Sequence, residues 1–426
     1  MLGYSHLNLE DPPMADTGSN PMRRRAFIQN SAAATVAATG LTPAASEAQN
    51  DPPETRKPLE IPKRVLGKTG VEVTILNAGT ARAPGALDRL LRFEYNRGVR
   101  FFDTAATYGT EGAFKKWFAA MPEVRKQVFL ATKDGVAQPS DMLKRIDLRL
   151  EALGTDYIDL LYFHALAGKA VDFGLTGNEM EWPRSKEMKE TIEAIKKTGK
   201  VRFVGFATHD RLRAEQLEIA AEGNLMDVIM LMMTPWEEKD SKLNRAIDAC
   251  HKKNIGLVAM KLVAGNLVRR GVRIDAPMLQ KRGLSPYQGM LQALWTDERI
   301  SAACVAMSNT DQVNQNTEAA HRFEPMKPAE IQELHAALLK AGPMLCASCD
   351  GRCQLAAGTT ARLGDLTRLL TYHEHHGARR WARNAYSELT EEERNWHGAD
   401  LDAAHEACPT HLDFAQLLPE VDRWLG

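Results

Sequence analysis

Eight short apolar runs recur along the chain, at residues 74–79, 100–103, 127–133, 157–164, 201–208, 227–233, 256–261 and 301–307, and helix-patterned stretches separate them. Leu87, Leu90 and Leu91, then Leu143, Ile146 and Leu150, then Leu243, Ile247 and Cys250 fall three and four positions apart, the spacing of one helix face. Runs that are apolar throughout belong to strands covered on both sides, and strands alternating with helices make parallel βαβ units. Eight such units in about 250 residues predict an α/β fold, a closed (β/α)8 TIM barrel over residues 61–324. The rival is an open doubly wound sheet. It requires a Gly-x-Gly-x-x-Gly loop after its first strand, and Asn77-Ala78-Gly79-Thr80 does not supply one. Just before the first run, residues 63–73 place glycine between two alternating segments and read as a hairpin.

The barrel leaves two appendages, residues 1–60 and 325–426. Arg23, Arg24 and Arg25 precede Phe27-Ile28, an Ala-rich weakly apolar stretch at 31–41, and Ser46-Glu47-Ala48 with small residues at both ends. That order resembles a twin-arginine (Tat) signal peptide, ending near residue 48 and followed by a linker at 49–60. A disordered basic tail would explain neither the Ala-rich run nor the cleavage site. The resemblance implies the Tat export machinery as a partner, a periplasmic or cell-envelope destination, and a cofactor loaded before export. Met14 and Met22 are alternative starts. A formal net charge of −1 gives no nucleic-acid footprint, and no apolar run reaches the roughly 18 residues of a membrane span.

A barrel carries its site at the C-terminal ends of its strands. Strand two ends in Asp103 with Tyr108 five residues on, strand three in Lys133, and strand four in His164. Each alone is ordinary; at three consecutive strand ends they point to one cavity. An acid at such a place is costly to bury unless a cation meets it.

These stretches carry a specific resemblance. Residues 102–109 (FDTAATYG), 131–133 (ATK), 153–161 (LGTDYIDLL) through His164, 199–205 (GKVRFVG), 259–261 (AMK) and 307–309 (MSN) are similar to the aldo-keto reductase family along the whole barrel. The resemblance implies a catalytic tetrad of Asp103, Tyr108, Lys133 and His164, and NADP or NAD as cofactor. The chemistry agrees: hydride reduction of a carbonyl builds charge on oxygen, so a proton must arrive with the hydride. Tyrosine has a pKa near 10; Lys133 is expected to lower it, Asp103 to keep Lys133 charged, and His164 to hydrogen-bond the carbonyl oxygen.

The cofactor is expected along Lys261 after strand seven, the turn Ser308-Asn309 that opens a helix suited to a pyrophosphate, and Gln312, Gln315 and Asn316 for the adenosine. Ala207 and Thr208 stand where the family holds the carboxamide with Ser-Asn. Met232-Met233 stand where the family stacks an aromatic, with Trp236 as a replacement. Residues 307–320 hold no Lys or Arg for a 2′-phosphate, so NADP over NAD rests on family habit.

Beyond the barrel, residues 328–339 read as a helix with Ile331, Leu334 and Leu338 on one face. Cys346, Cys349 and Cys353 follow, and Cys408-Pro409 lies far downstream. Three close cysteines and a distant Cys-Pro resemble ferredoxin-like ligation of one 4Fe–4S cluster, as in exported aldo-keto reductases with such an extension. Structural zinc on all four cysteines, or on three of them with His405 or His411, is the rival, and a bare redox CxxC pair a third reading. Cys250 and Cys304 read as core residues, and His373, His375 and His376 as a solvated helix face. Two functions follow: a nicotinamide-dependent carbonyl–alcohol oxidoreductase coupled to a cluster and, if a redox partner exists, to it; or an envelope electron-transfer or binding subunit with weak or no nicotinamide use. The small-molecule substrate is unnamed by the sequence, and residues 165–184 are expected to shape its pocket.

Overall fold

The computed structural model describes residues 60–81, 87–164, 178–210, 212–262, 274–341, 346, 349, 351–375 and 379–426. The signal-like residues 1–48, the linker at 49–59 and most of the 165–184 insert lie outside these. Two antiparallel strands come first, β1 (Lys63–Val65) and β2 (Glu72–Thr74), pairing Lys63 with Thr74. Eight parallel strands then close a barrel in chain order: β3 (Leu76–Gly79), β4 (Phe101–Asp103), β5 (Phe129–Asp134), β6 (Ile158–His164), β7 (Val201–Thr208), β8 (Val228–Met232), β9 (Gly256–Met260) and β10 (Ala302–Ala306), the last pairing back onto β3. Each expected apolar run is one barrel strand, shortened by a residue or more in seven of the eight.

The hairpin plugs the bottom of the barrel. Leu66 at its turn is fully buried among the inward residues Phe101, Leu160 and Val228. Gly67 holds φ at +52°, and a Cβ there would meet the backbone of Gly256, so the turn admits only glycine.

Side chains of a strand alternate between its faces, and this parity places the chemistry. On β4, Phe101 points into the barrel, Phe102 packs outward with its ring 5.3 Å from Trp117, and Asp103 therefore points in again. On β5, Phe129 and Ala131 are inward, so Lys133 is; on β6, Leu160 and Tyr162 are inward, so His164 is. The outward residues Leu130, Leu161 and Phe163 join the larger core between barrel and helices. At the bottom of β6 the outward Asp159 is held by Arg125 at 2.9 Å and by Arg202 at 2.5 Å.

Residues 325–426 are helical among the described residues. Helix Pro328–Ala341 buries Leu334 and Leu338 on the barrel core. The following helices close a second core around Leu363, Leu366, Leu369, Leu370, Phe414 and Leu418. Helix Leu363–His375 packs between helices Arg379–Ser387 and Phe414–Leu425. That packing overturns the solvated reading of His373: it is 5% exposed, with its ring 5.8 Å from that of Trp424. The side chains of His375 and His376 lie outside the described residues. No helix among them is long and apolar enough to cross a membrane.

Candidate active site

Asp103, Lys133, His164 and Tyr108 meet at the top of the barrel. The Lys133 ammonium forms an ion pair with Asp103 Oδ1 and donates to the Thr104 carbonyl at 3.0 Å, both residues being buried. Lys133 Nζ lies 5.2 Å from the ring centre of Tyr108, and the Tyr108 and His164 rings meet edge to face at 5.7 Å. Tyr108 reaches this point from the tight turn Ala106–Tyr108. The turn is anchored on both sides: Ala105 before it is extended and buried, and a threonine ladder holds the segment, Thr104 to Thr110 at 2.8 Å and Thr80 to Thr110 at 2.9 Å. Thr80 also donates its N–H and hydroxyl to the Asp103 carbonyl.

The Lys133 ammonium pulls the Tyr108 phenol down, as the sequence leads one to expect, but burial is the larger effect and leaves it raised. Burial works against the Lys133 charge, but the Asp103 carboxylate outweighs it and holds the ammonium protonated. Burial pushes the Asp103 carboxyl up against the attraction of Lys133. Burial and the cations Lys133 and Lys261 lower His164 to about 3, so its imidazole is neutral at physiological pH. The site thus offers a protonated phenol, a fixed ammonium and a neutral imidazole.

The cofactor residues are only partly brought together. Ser308, Asn309 and Gln312 form one exposed turn. Asn309 Oδ1 accepts the Gln312 N–H at 2.9 Å, capping helix Thr310–His321, and Gln312 Oε1 accepts the Ser308 N–H at 2.7 Å. Gln315 is exposed one turn on, whereas Asn316 is buried with Val313 and Thr317 and faces inward. Ala207 points into the barrel; Thr208 is buried, its hydroxyl 3.3 Å from the Asp210 N–H that it accepts. Lys261, in a left-handed conformation with φ +57°, donates to the Tyr372 hydroxyl at 2.6 Å. The aromatic expected for the nicotinamide is engaged elsewhere: Trp236 stacks on His335 at 4.6 Å, nearly parallel, and Met233 is buried in the core.

Two sets of residues escape a reading of the sequence. Tyr162 and Cys304 line the barrel interior beside Asp103. Counting back by two from His164 finds Tyr162, but nothing local marks Cys304 as inward, because both faces of its strand are apolar. The second set comes from the C-terminal extension. Arg368, 1% exposed, donates to the His209 carbonyl at 3.0 Å, and Tyr372 of the same helix meets Lys261. A long-range docking of this kind leaves no local pattern.

Among the described residues no disulfide links Cys346, Cys349, Cys353 and Cys408 to one another. Their thiols influence one another's charge, and burial, the largest cause, raises Cys346 and Cys349 and takes Cys353 up to about 12. A Cβ built on Gly364 would lie 3.1 Å from Cys346 Sγ and 3.9 Å from Cys353 Sγ. Cys408 Sγ lies 3.4 Å from the Thr410 hydroxyl. No group of three or more His, Cys, Asp or Glu side chains among the described residues has the geometry to hold a metal ion. His405 Nδ1 is bonded to the Leu412 carbonyl at 2.9 Å, and the His411 ring lies 5.6 Å from it.

The family model described as "Aldo/keto reductase family" matches residues 77–338. L-galactose dehydrogenase of Arabidopsis thaliana is 25% identical over 316 residues, 66% of this chain and 95% of that protein. L-glyceraldehyde 3-phosphate reductase of Escherichia coli O157:H7 is 22% identical over 335 residues, 63% of this chain and 91% of that protein. The aldo-keto reductase yakc [NADP(+)] of Schizosaccharomyces pombe is 27% identical over 177 residues, 38% of this chain and 47% of that protein.

Proposed function

The chain belongs to the aldo/keto reductase family of NAD(P)-dependent oxidoreductases, and from that premise we propose that it interconverts a carbonyl and an alcohol with Tyr108 as the proton donor. The observation that carries this is the convergence of the Lys133 ammonium, the Tyr108 phenol and the His164 imidazole on one point of the barrel mouth. His164, neutral, donates a hydrogen bond to the carbonyl oxygen and orients it. Tyr108 gives its proton to that oxygen as charge develops there, and the adjacent ammonium stabilises the phenolate left behind. Asp103 keeps Lys133 charged and in place. When bound, the nicotinamide supplies or accepts the hydride; Ser308, Asn309 and Gln312 would hold its phosphates at the exposed helix start. Tyr108→Phe should lower carbonyl reduction by about 10²-fold or more, as loss of a positioned general acid does, with the fold intact. Reduction as fast as wild type would remove Tyr108 from the mechanism.

We further propose that Cys346, Cys349, Cys353 and Cys408 hold one 4Fe–4S cluster, which supplies one-electron storage when bound. Three close cysteines followed by the distant Cys408-Pro409, the pattern of ferredoxin-like ligation, support this reading over zinc. Anaerobically purified protein should be brown, bleach on reduction, and lose iron in Cys408→Ser; colourless protein with stoichiometric zinc would refute the cluster. Export in folded form fits such a cargo, and replacing Arg24 and Arg25 with Lys should hold the precursor in the cytoplasm. Undiminished export of that variant would exclude the twin-arginine route.

A further inference from the structure

Tyr108 and Lys133 come from separate elements, so their separation depends on what ties those elements together. Lys133 sits on β5. Tyr108 closes the turn Ala106–Tyr108, which follows β4 and leads into helix Glu111–Ala120. Gly109, at φ +68°, supplies the left-handed bend between turn and helix. The two residues after that bend are both tied down, on different sides. Thr110 reaches Thr80 and Thr104, just past β3 and β4, whereas Glu111 reaches across to β5.

By strand parity Ala131 and Lys133 point into the barrel, so Thr132 and Asp134, on either side of Lys133, point toward the helices. The Thr132 hydroxyl donates to Glu111 Oε1 at 2.8 Å. Arg149, on helix Leu143–Leu153, donates to Glu111 Oε2 at 2.5 Å, and its Nε lies 3.2 Å from Asp134 Oδ2. Both oxygens of the Glu111 carboxylate are thus engaged, one by the residue before Lys133 and one through an arginine shared with the residue after it. Glu111 is 5% exposed and Thr132 fully buried. A glutamate at a helix start stabilises the helix dipole well enough in water. Burying it costs desolvation that its partners must offset, and what the buried arrangement adds is a fixed register between two segments of chain.

We propose that Glu111, Thr132 and Arg149 are positioning residues that clamp the segment bearing Tyr108 to the strand bearing Lys133 and so fix the approach of phenol to ammonium. They lie behind β5, on its helix side, and act through Tyr108 and Lys133. The sheet itself does not depend on them: the Thr104 N–H bonds the Ala131 carbonyl at 3.0 Å and holds β4 to β5. Releasing Glu111 therefore leaves Asp103 and Lys133 in place and lets the helix start, with Tyr108 before it, drift from the ammonium. A displacement on the order of 1 Å at a reacting group is worth up to about 10²-fold in rate.

This inference rests on Tyr108 as the proton donor, and two readouts separate the two readings. The first is fluorine NMR of full-length protein labelled with meta-fluorotyrosine, the Tyr108 signal being identified by its loss in Tyr108→Phe. Thr132→Val keeps the shape of the side chain without its donor, and should shift or broaden that signal while the signal of Tyr386, in the second core, stays put. Thr132→Ser restores the hydroxyl and should restore the signal. The second readout is reduction of para-nitrobenzaldehyde by NADPH. Thr132→Val should lower kcat by about three- to tenfold and Thr132→Ser by less than about twofold. KM for NADPH should not change, because Ser308 and Asn309 follow β10 rather than β5. Arg149→Lys cannot span two carboxylates with one ammonium and should move the Tyr108 signal the same way with a kcat loss of about two- to fivefold, so the test survives if Thr132→Val fails to fold. An unmoved Tyr108 signal in the valine and lysine variants, or equal effects of serine and valine at position 132, would overturn the clamp. If Tyr108→Phe reduces the aldehyde as fast as wild type, the proton-donor reading has failed; if Tyr108→Phe is inactive while Thr132→Val keeps both signal and kcat, only the clamp has failed.

Discussion

Glu94 lies on the buried stripe of helix Leu87–Asn96, after Leu87, Leu90 and Leu91, and is 2% exposed. Its Oε2 meets no donor among the described residues, and burial raises its carboxyl to about 8. An acid whose pKa is higher folded than unfolded retains its proton in the native state after the unfolded chain has lost it. Its contribution is complete below the ordinary carboxylate pKa and is lost as pH rises toward about 8. Wild-type stability should therefore fall between pH 5 and pH 8, and Glu94→Gln should flatten that slope and gain roughly 1–3 kcal/mol at pH 8. Urea titrations at the two pH values decide; parallel slopes in the two proteins would refute it. Asp103, Lys133 and His164 are legible in the sequence because each closes an apolar run, whereas Glu94 falls where the stripe requires a hydrophobic residue and its carboxyl is simply enclosed. The Tyr108 acidity is hidden for a related reason. Spacing announces an ammonium nearby, but the degree of burial that outweighs it is a property of the assembled site.

At the scale of elements, the barrel strands are readable to within a residue or two, because continuous apolar runs between helical spacings admit little else. Helix Leu363–His375 shows what is not readable. Its apolar positions give a helix, but only the fold shows that Arg368 and Tyr372 reach the ends of β7 and β9. The sequence leaves Trp236 free to stack on a nicotinamide, and it stacks instead on His335 of helix Pro328–Ala341. Both differences have one cause: the extension packs on the loops that carry the barrel's polar groups, and such pairings span a hundred residues or so of chain. Tyr372→Phe removes the hydroxyl that engages the Lys261 ammonium. It should tighten dinucleotide binding by about three- to tenfold, the worth of one competing charge-assisted hydrogen bond. Fluorescence titration with NADPH and NADH checks this, and unchanged affinity for both would show that Lys261 does not serve the cofactor.

At the scale of the molecule, two hydrophobic cores meet along a polar seam: Arg352 on Glu238 at 2.8 Å, Arg368 on His209, and Tyr372 on Lys261. Several of these partners stand beside groups with other duties. Arg368 influences the charge of Cys346, and His209 lies within electrostatic reach of both Lys261 and His164. The seam therefore gives the two ends a contiguous physical connection. If the thiol site takes the proposed cluster, whatever factor its filling adds to dinucleotide affinity the bound dinucleotide adds to retention of the cluster, since a thermodynamic cycle closes in both directions. Were the proposed cluster and the dinucleotide both carried through the proposed export, that symmetry would make each a guard against loss of the other.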